Sequence, residues 1–203
     1  MPSINFCFEV HQPRRLKWFW PDTTRDIKGK DLEKFYFDDE ENEKIFKKVS
    51  EKCYFPANTL MLELIDKFKN QKKKFKITYS ITGTFLEQCE KYNKDLLETF
   101  KQLSKTGCVE FLDETYYHSL SGLFANKENF IEEIKLHNNI IKEILNYSPK
   151  IFVNTEMLYN NDIAKIVENL GYKGIFTEGI EWILDYWKSP NFLYKCKGTN
   201  LRL

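Results

Sequence analysis

The sequence predicts an α/β fold of parallel strand–helix units. Short β-branched and aromatic runs alternate with longer segments whose apolar residues recur at helical spacing. Turn and stop residues, among them Gly107, Pro149 and Gly171, separate the two kinds of segment. Strands that follow one another through a helix pair in parallel.

The first strand is expected over 4–10, where Ile4, Phe6, Phe8 and Val10 alternate with Asn5, Cys7 and Glu9. Pro13, with no N–H to donate, ends it behind His11 and Gln12. Residues 14–40 read as an irregular aromatic connection with Trp18, Phe19, Trp20, Phe35, Tyr36 and Phe37. A loop of that length is more often functional than idle. Asp38 or Asp39 can cap a helix running to about 53, and Pro56 suits the first turn of a stronger one, with Leu60, Met61, Leu64, Ile65 and Phe68 on one face.

A second strand, 76–81, is broken at Gly83-Thr84. Leu96, Leu97, Phe100 and Leu103 then mark a helix stopped by Gly107. A short strand at 109–112 precedes a long helix that Asn126 can cap, with Phe130, Ile134, His137, Ile141 and Leu145 on one stripe. A strand at 151–153, a helix carrying Ile163, Ile166, Val167 and Leu170, and a strand at 174–177 complete the series. A short aromatic helix over 182–187 and an extra piece at 193–197 follow. About five parallel strands result, either an open doubly wound sheet or part of a barrel. No glycine-rich phosphate loop follows the first strand, which weakens the nucleotide-binding version.

Composition narrows the partners. Lys and Arg total 31 against 30 Asp and Glu, so no field favours nucleic acid. The lysines around 47–48 and 72–74 lie in or beside helices with acids nearby and read as solvated faces. The opening residues lack a secretory pattern, and no apolar run is long enough to cross a membrane. The five cysteines are scattered without a CxxC pair, which suits reduced thiols in a cytoplasmic protein.

In parallel β/α folds, functional groups gather where strands end. Here those ends carry Glu9, His11 and Gln12; Thr82 and Thr84; Asp113, Glu114, Tyr116, Tyr117 and His118; Asn154, Thr155 and Glu156; and Glu178 with Glu181. An acidic, aromatic mouth suits a carbohydrate, whose hydroxyls need polar partners and whose ring faces stack on aromatics. Glycoside cleavage needs two carboxyl groups in different protonation states. Each group also has a plainer reading. Glu156 can be a first-turn helix acid, His11 a turn residue, His118 a hydrogen-bonded loop residue, and His137 a structural residue of its stripe.

Several segments resemble glycoside hydrolase family 57, the α-amylase and 4-α-glucanotransferase group. FEVHQPRRL resembles the family's opening signature and ITGTFLEQ its second. The stretch from YFDDEENEKIF to PANTLMLELI is similar to the α-amylase-type branch. ETYYHSL matches the segment that brings a histidine, here His118, to the site. FVNTEMLYNN matches the segment whose glutamate, here Glu156, is the nucleophile. GYKGIFTEGIEW brings Glu178 and Trp182.

The resemblance implies an incomplete (β/α)7 TIM-like barrel with about five parallel strands present. Residues 1–203 would form the N-terminal portion of that barrel domain, truncated before its last strands. It also implies a retaining hydrolase or transglycosylase acting on α-glucan or maltooligosaccharide, without a metal or other cofactor. Glu156 would be the catalytic nucleophile, and His11, Glu9, His118, Trp182 and Glu178 would bind substrate. The family's general acid is an aspartate after a later strand. The expectation is therefore a fragment, inactive or dependent on a second polypeptide that supplies the missing barrel part. The alternatives are a noncatalytic carbohydrate-binding subunit and a metal-dependent polysaccharide deacetylase. The latter would need an Asp and two His at metal-ligand spacing, and the three histidines form no HxxxH pair.

Overall fold

In the computed structural model, residues 4–18 and 29–203 are described. Phe19 and Trp20, two aromatics of the long connection, lie outside them, and Trp18 is exposed. Strands β1 (Cys7–Val10), β2 (Ile77–Ile81) and β3 (Val109–Leu112) form a parallel sheet in that order. Strands β4 (Ile151–Val153) and β5 (Gly174–Phe176) form a second parallel pair.

Asp113, directly after β3, joins the two sheets. Its N–H donates to Ile151 O at 2.9 Å and its carbonyl accepts from Val153 N at 2.8 Å. On the far side of β5, Ile175 N donates to Arg202 O at 2.8 Å, and 194–196 folds back antiparallel on 201–203. The expected extra piece at 193–197 is thus a hairpin arm, and the parallel contact with β5 comes from Arg202. Chain order and spatial order coincide, without the reversal that defines a doubly wound sheet.

Parallel register puts matched residues on one face. Phe8, Tyr79 and Phe111 are aligned across β1, β2 and β3. Their ring centroids lie 5.6 and 6.2 Å apart along that row. This face packs under helices: Tyr79 meets Phe100 edge to face at 5.8 Å, with Phe85, Leu96 and Ile141 buried beside it. A second cluster, from Phe130 and Phe152 to Val167 and Ile175, seats β4 and β5. The opposite face carries Cys7, Glu9, Thr78 and Ser80. It leaves polar groups where β1, β2 and β3 end.

The helices follow capping chemistry. α1 (Lys30–Tyr36) lies inside the stretch expected to be irregular. Asp38 accepts from Glu41 N at 3.0 Å and caps α2 (Asp39–Val49). A π-helical turn, Ser50–Tyr54, leads on into α3 (Phe55–Lys67) with Pro56 in its first turn. Between β2 and β3 stand two helices, α4 (Gly83–Tyr92) and α5 (Lys94–Lys105), where the sequence indicated one. α6 (Glu128–Leu145) and α7 (Asn161–Asn169) follow β3 and β4. Residues 181–187 form turns rather than the expected helix, with Asp185 and Tyr186 at φ 57°. No helix among the described residues is long and apolar enough to cross a membrane.

Gly83 shows why a helix starts at what looks like a strand break. A Cβ there would lie 2.5 Å from the Tyr116 ring. The ring therefore rests on the bare backbone, and Thr82 caps the helix by accepting from Phe85 N at 3.3 Å. Gly83→Ala forces the buried Tyr116 ring aside and is expected to cost about 1–3 kcal/mol, the usual range for overpacking. A thermal melt with an unchanged midpoint would contradict that contact.

Candidate active site

A cavity of about 160 Å³ opens where β1, β2, β3 and β4 end, lined by Glu9, Glu114, His118 and Glu156 with Ser80 and Asn154 among their neighbours. His118 occupies its centre. Its Nε2 lies 3.3 Å from Glu9 Oε1 and 3.7 Å from Glu156 Oε1, and its Nδ1 lies 3.5 Å from Glu114 Oε2. His11 stacks on the ring, with centroids 4.6 Å apart and planes inclined by 24°.

Backbone and loop geometry hold these groups. Glu133 of α6 accepts from Tyr117 N at 3.2 Å and from Ser119 Oγ at 2.5 Å, folding the loop that carries His118. Thr115 and Thr155 hydroxyls meet at 2.7 Å, tying that loop to the one after β4. Asn154 Nδ2 donates to Leu158 O at 3.0 Å across the turn bearing Glu156, and Thr177 donates to Met157 O at 3.2 Å from the end of β5. Within this frame His118, Glu156 and Met157 sit at φ 55°, 54° and 53°. Left-handed backbone is costly for residues with a Cβ and clusters at functional sites.

The two stacked rings are pushed in opposite directions. The hydrogen bond that His118 donates to Glu114 raises the pKa of His118 above 6.5 against the opposing effect of burial, helped by the charges of Glu114, Glu9 and Glu156. Burial and the neighbouring His118 lower that of His11. His11 Nδ1 meets Thr82 Oγ at 3.0 Å. A neutral ring that accepts there keeps its single proton on Nε2. A histidine whose charged form is favoured thus sits among three carboxyl groups, stacked on one whose charged form is disfavoured.

The structure brings together four of the six residues the sequence singled out: Glu156, Glu9, His11 and His118. Glu178 and Trp182 are exposed beyond β5 and do not line this cavity. Glu114 belongs to the cluster although sequence reasoning left it out of the candidate set. It is buried, and Ser80 donates to its Oε1 at 2.6 Å. Its position right after a strand end was the available signal. The Glu156 side chain, 73% exposed, is open to a ligand. Among the described residues no group of three His, Cys, Asp or Glu is arranged to hold a metal ion.

The other acids near these motifs are engaged elsewhere. Asp113 is fully buried against His137, Asp162 pairs with Lys165 at 3.1 Å and Asp185 with Lys188 at 2.7 Å.

The fold sets the sign of one pH effect. His118 gains partners on folding, so its contribution to stability is complete below its unfolded value of 6.5 and is lost as pH rises through the higher folded value. Denaturant unfolding of the protein and of His118→Gln should therefore differ most at about pH 6 and converge towards about pH 9. A difference that grew with pH would reverse the assignment.

The sequence profile of Glycosyl hydrolase family 57 matches residues 5–203. A Methanocaldococcus jannaschii protein named "Putative alpha-amylase" is 50% identical over 194 residues, which cover 95% of this chain and 39% of that protein. An alpha-amylase of Pyrococcus horikoshii is 24% identical over 178 residues, covering 88% of this chain and 23% of its own length. Among solved structures, a 4-alpha-glucanotransferase from Thermococcus litoralis matches with a TM-score of 0.67 at 16% identity, over 98% of this chain and 26% of that one. A GH57-type branching enzyme from Pyrococcus horikoshii matches with a TM-score of 0.67 at 14% identity, over 99% of this chain and 45% of that one. At these identities the structural likeness shows a shared fold.

Proposed function

The chain belongs to glycosyl hydrolase family 57, and on that premise we propose that it carries the nucleophile and donor-sugar site of a retaining hydrolase or transglycosylase acting on α-glucans. The observation that carries this reading is the approach of Glu156 and Glu9 to one histidine, His118, at a cavity between strand ends. In this reading the five strands are consecutive staves of a (β/α)7 barrel, an arrangement their unbroken order supports.

The Glu156 carboxylate would form a C–O bond to the anomeric carbon as the glycosidic C–O bond breaks. Water or an acceptor hydroxyl would then displace Glu156, giving net retention. His118, 3.7 Å away, stands beside the Glu156 carboxylate and can donate to a sugar hydroxyl. Glu9 offers acceptors to hydroxyls, and the neutral His11 a single donor. Glu178 and Trp182, exposed beyond β5, are proposed to meet the sugar chain farther out, Trp182 by stacking. The leaving oxygen needs a proton from a second carboxyl group, which the family resemblance puts on an aspartate after a later strand.

A donor whose leaving group needs no protonation tests the nucleophile apart from that acid. With a ring-fluorinated α-glucosyl fluoride, mass spectrometry should find one added sugar on the peptide containing Glu156 and none in Glu156→Gln. Labelling at another residue, or none, would overturn the assignment. In any preparation that turns over maltooligosaccharides, Glu156→Gln should lower kcat by at least about a thousandfold.

A further inference from the structure

Two buried groups outside the cavity reach both of its stacked histidines. His137, on α6, is fully buried, with Nδ1 2.5 Å from Asp113 Oδ1 and Nε2 2.7 Å from Ile81 O. Glu114 N also lies 3.4 Å from Nδ1, but the Asp113 oxygen is far nearer, so each ring nitrogen has a close acceptor and the ring can carry both protons in a pair with the Asp113 carboxylate. Burial alone would strip the ring of its charge; the Asp113 bond and charge outweigh it and raise its pKa above 6.5. The other Asp113 oxygen accepts from Asn138 Nδ2 at 2.6 Å and from the Tyr172 hydroxyl.

Each acceptor that His137 reaches stands next to a residue holding a site histidine. Ile81 precedes Thr82, whose hydroxyl meets His11 at 3.0 Å. Asp113 precedes Glu114, whose N–H donates back to Asp113 Oδ1 at 3.1 Å and whose carboxylate faces His118. One imidazolium on α6 therefore fixes the end of β2 against the end of β3, and His11 and His118 are tethered one to each.

We propose that Asp113 and His137 are positioning residues of the site, their ion pair aligning Thr82 and Glu114 and so setting the stack of His11 on His118. The proposal rests on the preceding reading only in taking these two histidines as substrate-facing. Its test needs no sugar, so its failure is distinct from a failure of Glu156 labelling.

The chain has three histidines, so ring NMR can follow each through its own titration. In Asp113→Asn the His137 ring loses its excess proton as well, and the pair passes from opposite charges to two neutral groups. Its net charge is unchanged. The groups facing His118 are Glu9 from β1, Glu114 after β3, Glu156 after β4 and His11, and all of them remain. A shift at His118 then reports altered geometry.

The expected result is a His118 midpoint that moves down towards 6.5 as its Glu114 partner loosens, with His11 moving up towards the same value as the stack opens. Folded Asp113→Asn protein with both midpoints unchanged would reduce the pair to a structural staple and overturn the proposal. Should that variant fail to fold, Tyr172→Phe removes one donor from Asp113 and leaves the pair charged. It should move His118 in the same direction by a smaller step, and an unmoved midpoint there would equally overturn the proposal.

Discussion

The carboxylate of Asp113 is fully buried at the junction where the two sheets meet. Its backbone joins β3 to β4, and its side chain takes donors from α6 and from Tyr172 ahead of β5. Removing one partner of such a pair typically costs about 3–5 kcal/mol when the other charge stays buried, and otherwise forces that group to give up its charge. That cost makes the relative placement of β2, β3, β4 and α6 all-or-none. A purely apolar junction would tolerate small slips, whereas a charge satisfied on every side tolerates few.

Around that junction the two faces of the first sheet divide the work. On one face Tyr79 and Phe111 sit under α3, α5 and α6 and supply packing, with Phe8 at the exposed edge of the same row. The opposite row holds Cys7, Glu9, Thr78 and Ser80, which would be poor core and make a good site. Glu114 is buried with its oxygens turned to Ser80 and His118, so its negative charge works on the cavity rather than on solvent. Three residues of the site in left-handed backbone store strain that the surrounding side-chain bonds hold in place. A carboxylate presented on a strained turn and open to a ligand suits a group that must reach a reacting carbon.

Much of the frame was legible in the chain. β3 and β4 fall at 109–112 and 151–153 as short apolar runs and flanking breakers indicate, and Asp38 caps α2 as expected. Asn126 instead accepts from Glu128 N one residue ahead of the Lys127 cap of α6, and Asn93 and Asn160 are caps that sequence reasoning did not mark. The helix at Gly83 was hidden because a glycine after a strand reads as a stop. The reason for that glycine is the Tyr116 ring, which chain-local reasoning does not see. His137 was recognisable as a residue of an apolar stripe, but its partner stands 24 residues earlier and no spacing rule links them. Glu114 escaped selection for the same reason. At a strand end it looks like its neighbour Asp113, and only burial assigns one carboxylate to the interior and the other to the cavity.

The sequence by itself determined most of the elements, their parallel order and the set of polar groups at strand ends, since periodicity, caps and breakers are local properties. Through the segments HQP, ITGTFLEQ and FVNTEMLYNN it also identified the family to which the chain belongs. Only the tertiary structure decided which of those groups meet. It brought Glu9, His11, Glu114, His118 and Glu156 together and left Glu178 and Trp182 outside the cavity. It also pushed the pKa values of the two histidines apart, with that of His118 raised and that of His11 lowered, because desolvation and the nearest charges depend on distances that the fold alone creates.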